Sequence, residues 1–358
     1  MIAAVLGGLR AELGDLRLRG PRAQQGYAVS LAVALSVAAA SMLTLQNVWW
    51  AAISAFTVSQ ATRPASVRRG ALRIAGTTVG AFLALGCAST LAYDHVLCAL
   101  FLLAAGTAGT LGFLVSPYGY AWLLAAVTAL MVALMSLTDP TVALAGALNR
   151  IGEVAVGTGA AILAALLFAP DGEAARPPAP GFTDLLGANR PALMHALRSG
   201  IVVMLIPLVW IGFDLPSLPQ MGVTAAAVMA VQPQAGFDDH ATFVTRGTHR
   251  MLGCLVGGAA ALVLLALPLT EFLPWLLALT AGVFVCTQIQ SGLHGIGYVG
   301  TQAAVVYIMT LVQGTGPPTS ILPGIERLAG ITGGLAVLLL VSLVLWPTRG
   351  QAALRAPP

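Results

Sequence analysis

The sequence holds no lysine: all 17 basic residues are arginine, and charged residues of either sign make up only 8% of its 358 positions. So little charge cannot clothe a water-soluble domain of this length, and 58% apolar residues with a mean hydropathy of +0.89 exclude one. Cysteine is scarce as well. Cys87, Cys98, Cys254 and Cys286 include no C-x-x-C pair and lie in or beside apolar runs, so they read as small packing residues. No H-E-x-x-H, no paired-His metal spacing, no G-x-x-x-x-G-K-[ST] loop and no G-x-S-x-G elbow occurs. An ATP-driven motor is therefore absent from this chain. With no nucleophile–base or metal set visible, neither an enzyme nor a cofactor is expected. The basic pI near 9.1 does not point to nucleic acid, because the arginines sit at the edges of apolar segments.

What is present is a series of apolar runs of spanning length. They lack the alternation of barrel strands, so the fold class expected is an all-α membrane protein. Six runs fall at about 27–45, 48–61, 71–92, 96–115, 119–137 and 148–169, and six more at about 193–213, 219–233, 248–268, 272–291, 296–313 and 326–346. The expectation is about 12 transmembrane helices as two parallel six-helix repeats, residues 27–169 and 193–347. A Pro/Gly-rich cytoplasmic linker, 170–192, would join them, and 348–358 would form a cytoplasmic tail. Residues 1–26 do not make a cleavable signal peptide and read as a cytoplasmic amphipathic segment lying on the membrane surface.

The two series are copies. Arg73-x-x-Gly76-x-x-x-Gly80 matches Arg250-x-x-Gly253-x-x-x-Gly257 at a spacing of 177 residues. Arg150 and Arg327 share that spacing, as do Pro170 and Pro347, while Tyr120 and Tyr298 are out by one. Six spans per copy return the chain to its starting side, which predicts a pseudo-two-fold axis along the membrane normal. With the N-terminus inside, 15 of the 17 arginines fall on the inner side, leaving only Arg150 and Arg327 toward the outer one. Trp49, Trp50 and Trp275 then fall at the outer boundary and read as interfacial aromatics.

Several residues stand out against this apolar background. The glycine seams permit close helix–helix approach, and Arg73 and Arg250 lie beside them, either snorkelling to headgroups or facing an inner vestibule that attracts anions. Arg150 and Arg327 run against the positive-inside trend. A buried arginine costs roughly 2.5–3.5 kcal/mol on insertion scales, and that cost is accepted twice at matching places. Glu153, three residues after Arg150, is either its salt-bridge partner or a protonatable group that couples proton movement to substrate exit. The second segment of each copy is short and ends in Gln close to Pro (Gln60 and Pro64, Gln232 and Pro233), a pattern that marks either a transport site or polar helix ends at the membrane surface. Thr57 and Thr224 lie on the same segments. Phe56, Trp122, Trp210 and Tyr307 would favour aromatic substrates only if they lined the path. His95, His195, His240 and His249 read as loop or interface residues.

The runs NVWWAAISAFTVSQATRP, RGALRIAGTTVGA and NRIGEVAVGTGAAI, followed by a weaker second copy, resemble the fusaric acid resistance (aromatic acid exporter) family. The resemblance implies a bacterial inner-membrane transporter that exports aromatic carboxylic acids and similar organic anions. It also implies a periplasmic adaptor as partner in some members, besides the bilayer and the substrate, and leaves room for a homo-oligomer. Arg73, Arg150, Arg250 and Arg327 would be the anion contacts. Larger members carry sizeable cytoplasmic domains after each unit, for which only about 23 linker residues and a short tail remain here. Two other readings stay open: an anion channel-like pore, and a non-transport scaffold or envelope assembly factor.

Overall fold

The computed structural model describes residues 2–173, 181–183, 185–187, 189–213, 218–230, 240–267, 269–318 and 320–345. Their regular structure is all helical, with no strand among the described residues. The helices are α1 (Ile2–Gly14), α2 (Pro21–Met42), α3 (Val48–Val58), α4 (Arg63–Tyr93), α5 (His95–Val115), α6 (Gly119–Thr138), α7 (Ala143–Phe168), α8 (Arg190–Phe213), α9 (Leu218–Met229), α10 (His240–Leu265), α11 (Phe272–Gln290), α12 (Gly297–Leu311) and α13 (Leu322–Leu345). Among the described residues eight helices are long and apolar enough to cross a membrane: α2, α4, α5, α6, α7, α8, α10 and α11. Helices α3 and α12 are apolar but shorter.

Local chemistry explains several boundaries. Pro21 and Pro64 start α2 and α4, where a missing N–H costs nothing. Asp94 caps α5, its carboxylate accepting from the N–H groups of Val96 and Leu97 at 2.9 and 3.0 Å. Asp139 accepts from the Thr141 N–H at 2.9 Å and begins the short turn into α7. Helix α4 starts at Arg63 rather than near 71, so Arg68 and Arg69 are helical. Its 31 residues span about 46 Å, well beyond the ~30 Å hydrocarbon core, so its arginine-rich start can stand outside the bilayer.

The glycine seams close the way their spacing implies. Gly76 and Gly80 of α4 lie on the carbonyls of Ala121 and Ala125 of α6, and Gly253 and Gly257 of α10 lie on those of Val299 and Ala303 of α12. A second pair of seams sets Gly157 of α7 on the Ala51 carbonyl of α3, and Gly334 of α13 on the Met221 carbonyl of α9. Between the halves, α5 packs on α8 and α2 on α11, while α6 meets α9 and α3 meets α12. At the first of these contacts Gly106 faces Gly200, and Thr110 donates to the Ser199 hydroxyl at 2.7 Å. At the second, Phe284 lies over Gly26, and Ser30 donates to the Thr280 carbonyl at 3.0 Å.

The two largest apolar cores each draw on both halves. One joins α2, α3 and α7 to α11 and α12; the other joins α5 and α6 to α8, α9 and α13. Apolar side chains such as Val79, Phe82 and Leu83 of α4, and Leu273 and Leu277 of α11, face outward, where lipid would cover them.

Three expectations need correction. Trp49, Trp50 and Trp275 are buried in the protein rather than set at a lipid interface, and the Trp275 indole donates to the Leu311 carbonyl at 3.1 Å. His195 is fully buried, with Nε2 2.9 Å from the Met229 carbonyl at the end of α9. Residues 1–26 do not form one surface segment, since α2 already begins at 21. Helix α1 docks on the turn between α11 and α12. Val5 packs with Ile289 and Ile296, and buried Glu12 takes hydrogen bonds from Arg22 at 2.8 Å and from the His294 N–H at 2.9 Å. Arg22 also donates to the Gln288 carbonyl at 2.7 Å.

Candidate functional site

Between the two cores lies a cavity of about 200 Å³, walled by α3, α4, α6 and α7 from the first half and α9, α10, α12 and α13 from the second. Most of its lining is apolar, from residues such as Leu123, Val127, Val305 and Ile331. Three of the arginines singled out in the sequence reach it: Arg73, Arg150 and Arg250, each no more than 5% exposed. No Asp or Glu lines it among the described residues.

Arg73 and Arg250 are held by neutral partners in related ways. Arg73 Nε donates to the Ser54 hydroxyl of α3 at 3.0 Å, and Nη1 donates to the Tyr120 hydroxyl of α6 at 2.8 Å. Arg250 Nη2 donates to the Thr224 hydroxyl of α9 at 3.1 Å, and Nη1 donates to Gln302 Oε1 of α12 at 2.6 Å. Each short helix therefore offers a hydroxyl to the arginine beside a glycine seam. The second partner differs, since Gln302 lies one turn beyond Tyr298, the residue that matches Tyr120. These bonds orient the guanidinium groups without neutralising them, so the positive charge stays available to an anion.

Arg150 is different. Its guanidinium carbon lies 3.3 Å from the centroid of the Trp50 ring, and Nε, Nη1 and Nη2 are all buried without a hydrogen-bond partner among the described residues. A guanidinium lying flat on an aromatic face keeps its in-plane donors free. Burying a charged donor with nothing to donate to is costly unless something else supplies the acceptor. Glu153 is not that acceptor. Its carboxylate, itself buried, accepts from the Asn47 N–H at 2.8 Å, at the start of α3 where helix geometry favours negative charge. The local Arg150–Glu153 ion pair weighed from the sequence is absent.

The remaining expected residues fall as follows. Thr57 and Thr224 line the cavity. Gln60 lies just beyond α3 and does not: its amide donates to the carbonyls of Thr57 and Ser59 at 3.2 and 2.9 Å. Gln232 lies outside the described residues. Arg327 stands in the first turns of α13, its side chain outside the described residues. Phe56 and Tyr307 are core residues off the cavity, the latter donating to the Ala278 carbonyl at 2.7 Å; Trp122 is on the outer face, and the Trp210 side chain lies outside the described residues.

Sequence reasoning missed Arg69, Tyr120 and Gln302 as parts of the wall. The Arg69 guanidinium lies 4.2 Å above the Tyr120 ring, and Arg246, 177 residues later, lies 4.1 Å above the ring of Tyr298. The shared spacing was the signal that could have found the pair.

The wall residues of the first half fall within one matched segment. A family model matches residues 27–179. That segment is similar to the fusaric acid resistance protein family. The match runs from within α2 through α7 and includes Arg73, Tyr120, Arg150 and Glu153. It bears out the resemblance read from the sequence over the first half, and with the eight apolar helices it supports a multi-pass membrane protein. No curated protein and no solved structure matches the chain.

Proposed function

We propose that this protein is a secondary transporter that exports aromatic carboxylic acids or similar organic anions across the bacterial inner membrane, driven by the proton gradient. The observation that carries the proposal is the Arg150 guanidinium, buried against Trp50 and without an acceptor in the wall of a cavity shared by both halves. A carboxylate there would take two parallel N–H bonds, while Arg73 and Arg250 add positive charge held in place by neutral partners. The apolar and aromatic remainder of the wall suits a flat apolar body. A volume of about 200 Å³ equals the share of roughly seven water molecules in the liquid, which fits a single-ring acid.

The proposal includes 12 spans in two repeats. The matched glycine seams and the matched packing of α5 on α8 and α2 on α11 support a two-fold relation between the halves. The arginine distribution supports cytoplasmic termini. Arg327 completes the arginine set by its position in the second repeat. Gln60 and Gln232 carry no role in this reading beyond the ends of the two short helices. A periplasmic adaptor remains part of the proposal through the family alone.

Glu153 is the proposed proton site. As a carboxylate it holds the N–H of Asn47, the residue that precedes α3; once protonated it loses much of its preference for that positive helix end. Arg150, one turn away, is the nearest charged side chain on its own helix. The second repeat has glycine at the matching position, Gly330, so the coupling device belongs to one half.

The test is transport of benzoate by the purified protein in liposomes with an imposed pH gradient. Wild type accumulates or expels benzoate against its gradient. R150Q abolishes that flux, and E153Q keeps downhill exchange while losing its dependence on the pH gradient. Voltage-driven benzoate current with no proton dependence in wild type would establish the channel reading instead. Full flux in R150Q would remove the site from the mechanism.

A further inference from the structure

The cavity wall is not symmetric at the end where α4 begins. Arg69 is four residues before Arg73, one turn or about 6 Å nearer the start of α4. It lines the cavity as Arg73 does, but it is half-buried where Arg73, Arg150 and Arg250 are buried. Tyr120 takes the face of its guanidinium, and its Nε is buried with no hydrogen-bond partner among the described residues. Its counterpart Arg246 stacks in the same manner on Tyr298 but turns Nη2 toward the carbonyls of Ala227 and Ala230, 3.5 Å from each, and stays out of the cavity wall. Both arginines are half-buried, but one half sets its arginine in the wall of this cavity while the other turns its equivalent toward two backbone carbonyls outside that wall.

We infer that Arg69 is the capture residue: it draws the anion into the cavity from the α4-start side and passes it inward to Arg73 and Arg150. The inference rests on the anion-transport reading above and adds a division of labour to it. A partly solvated charge acts at a distance and sets how fast an anion arrives. A buried, desolvated donor set acts at contact and sets how long it stays. Tyr120 serves both, since its ring holds Arg69 flat and its hydroxyl holds Arg73. Capture is assigned to the first half alone, although both halves carry the arginine–tyrosine pair.

The experiment is stopped-flow binding of benzoate to the full-length protein in lipid nanodiscs, followed by the fluorescence of Trp49 and Trp50 in the cavity wall. Wild-type association should slow steeply as salt rises from about 0.01 M to about 1 M, where the screening length falls from about 30 Å to about 3 Å. R69Q should lower the association rate about tenfold, with dissociation changed less than about twofold, and should flatten the salt dependence. R69K, which keeps the charge, should recover most of the rate. R246Q should bind as wild type does. R69M substitutes for R69Q if the latter does not fold.

R150Q separates the two ideas. If R150Q binds benzoate normally, the anion-site reading falls. If R150Q loses binding while R69Q associates at the wild-type rate, or R246Q slows association as much as R69Q, the capture role falls and the site stands. A salt-independent association rate in wild type overturns the capture role without any variant.

Discussion

Arg150→Met should make the protein more stable while ending transport. The side chain is buried, its three nitrogens have no acceptor among the described residues, and its close contact is the Trp50 face, with Glu153 attracting it only at longer range. Holding an arginine at membrane depth costs about 2.5–3.5 kcal/mol on insertion scales. The desolvated cation–π contact returns about 2 kcal/mol. Methionine is apolar, long and flexible enough to lie on the same ring, so the variant should gain about 0.5–1.5 kcal/mol. For a chain of this size that corresponds to a melting temperature higher by about 1–3 °C. Arg73→Met is the internal comparison. It removes the same kind of charge but gives up its hydrogen bonds to the Ser54 and Tyr120 hydroxyls, at about 1.5–3 kcal/mol for each bond to a charged group. R150M should therefore exceed R73M in stability by about 2 kcal/mol or more. The assay is thermal unfolding of the purified proteins in one detergent, with benzoate flux measured in parallel. An R150M protein that melts below wild type by as much as R73M does would refute the reasoning, since Arg150 would then be holding the fold together.

Two further outcomes follow from the packing. Gly80→Ala or Gly257→Ala places a methyl group on the carbonyl of Ala125 or Ala303, backbone that cannot step aside, and should cost about 1–3 kcal/mol or block insertion. Gly86→Ala, on the same helix as Gly80 but facing open space, should be neutral or slightly stabilising; yield and melting temperature of the three variants check this. The α1 contact should depend on acid pH. Burial pushes the Glu12 carboxyl up, but the His294 N–H and the Arg22 guanidinium more than offset this and hold it below its ordinary value of 4.5. A carboxyl depressed in the folded state lends its stability above its unfolded value, and that stability is lost as pH falls through the folded one. Protection of residues 2–14 against hydrogen exchange, taken relative to the intrinsic rate at each pH, should therefore fall on the acid side of 4.5, and Glu12→Gln should lower it already at neutral pH.

The parts of this molecule that could be read from sequence are those where the bilayer makes a residue expensive. Arg73, Arg150 and Arg250 stood out because a charge in an apolar run needs a reason, and the fold gathers all three at one cavity. The paired glycines stood out because only small residues let two helix backbones touch. Position along the chain was less informative where two environments share one composition. A Trp pair at the start of a short apolar helix suits a lipid interface as well as a buried half-helix, and Trp49 and Trp50 took the second. Gln60 looked poised for a ligand, yet a side chain at a helix end finds its own carbonyls first. Arg69 was lost among the inner-side arginines because α4 runs two turns longer than its apolar stretch, beyond the depth at which polar residues cost anything. Gln302 replaces a tyrosine hydroxyl as the partner of Arg250 from one turn further along α12, a substitution of place rather than of residue type that no spacing rule anticipates.

The clasp between Glu12 and the turn at His294 joins points 282 residues apart. A ribosome adding about 5–20 residues per second needs roughly 15–55 s to make that stretch. The helix synthesised first must therefore wait, with its acidic side chain hydrated, until the penultimate hairpin has emerged. Its closure onto that hairpin then comes among the last events of assembly, a latch drawn across the threshold once the rest of the house is standing.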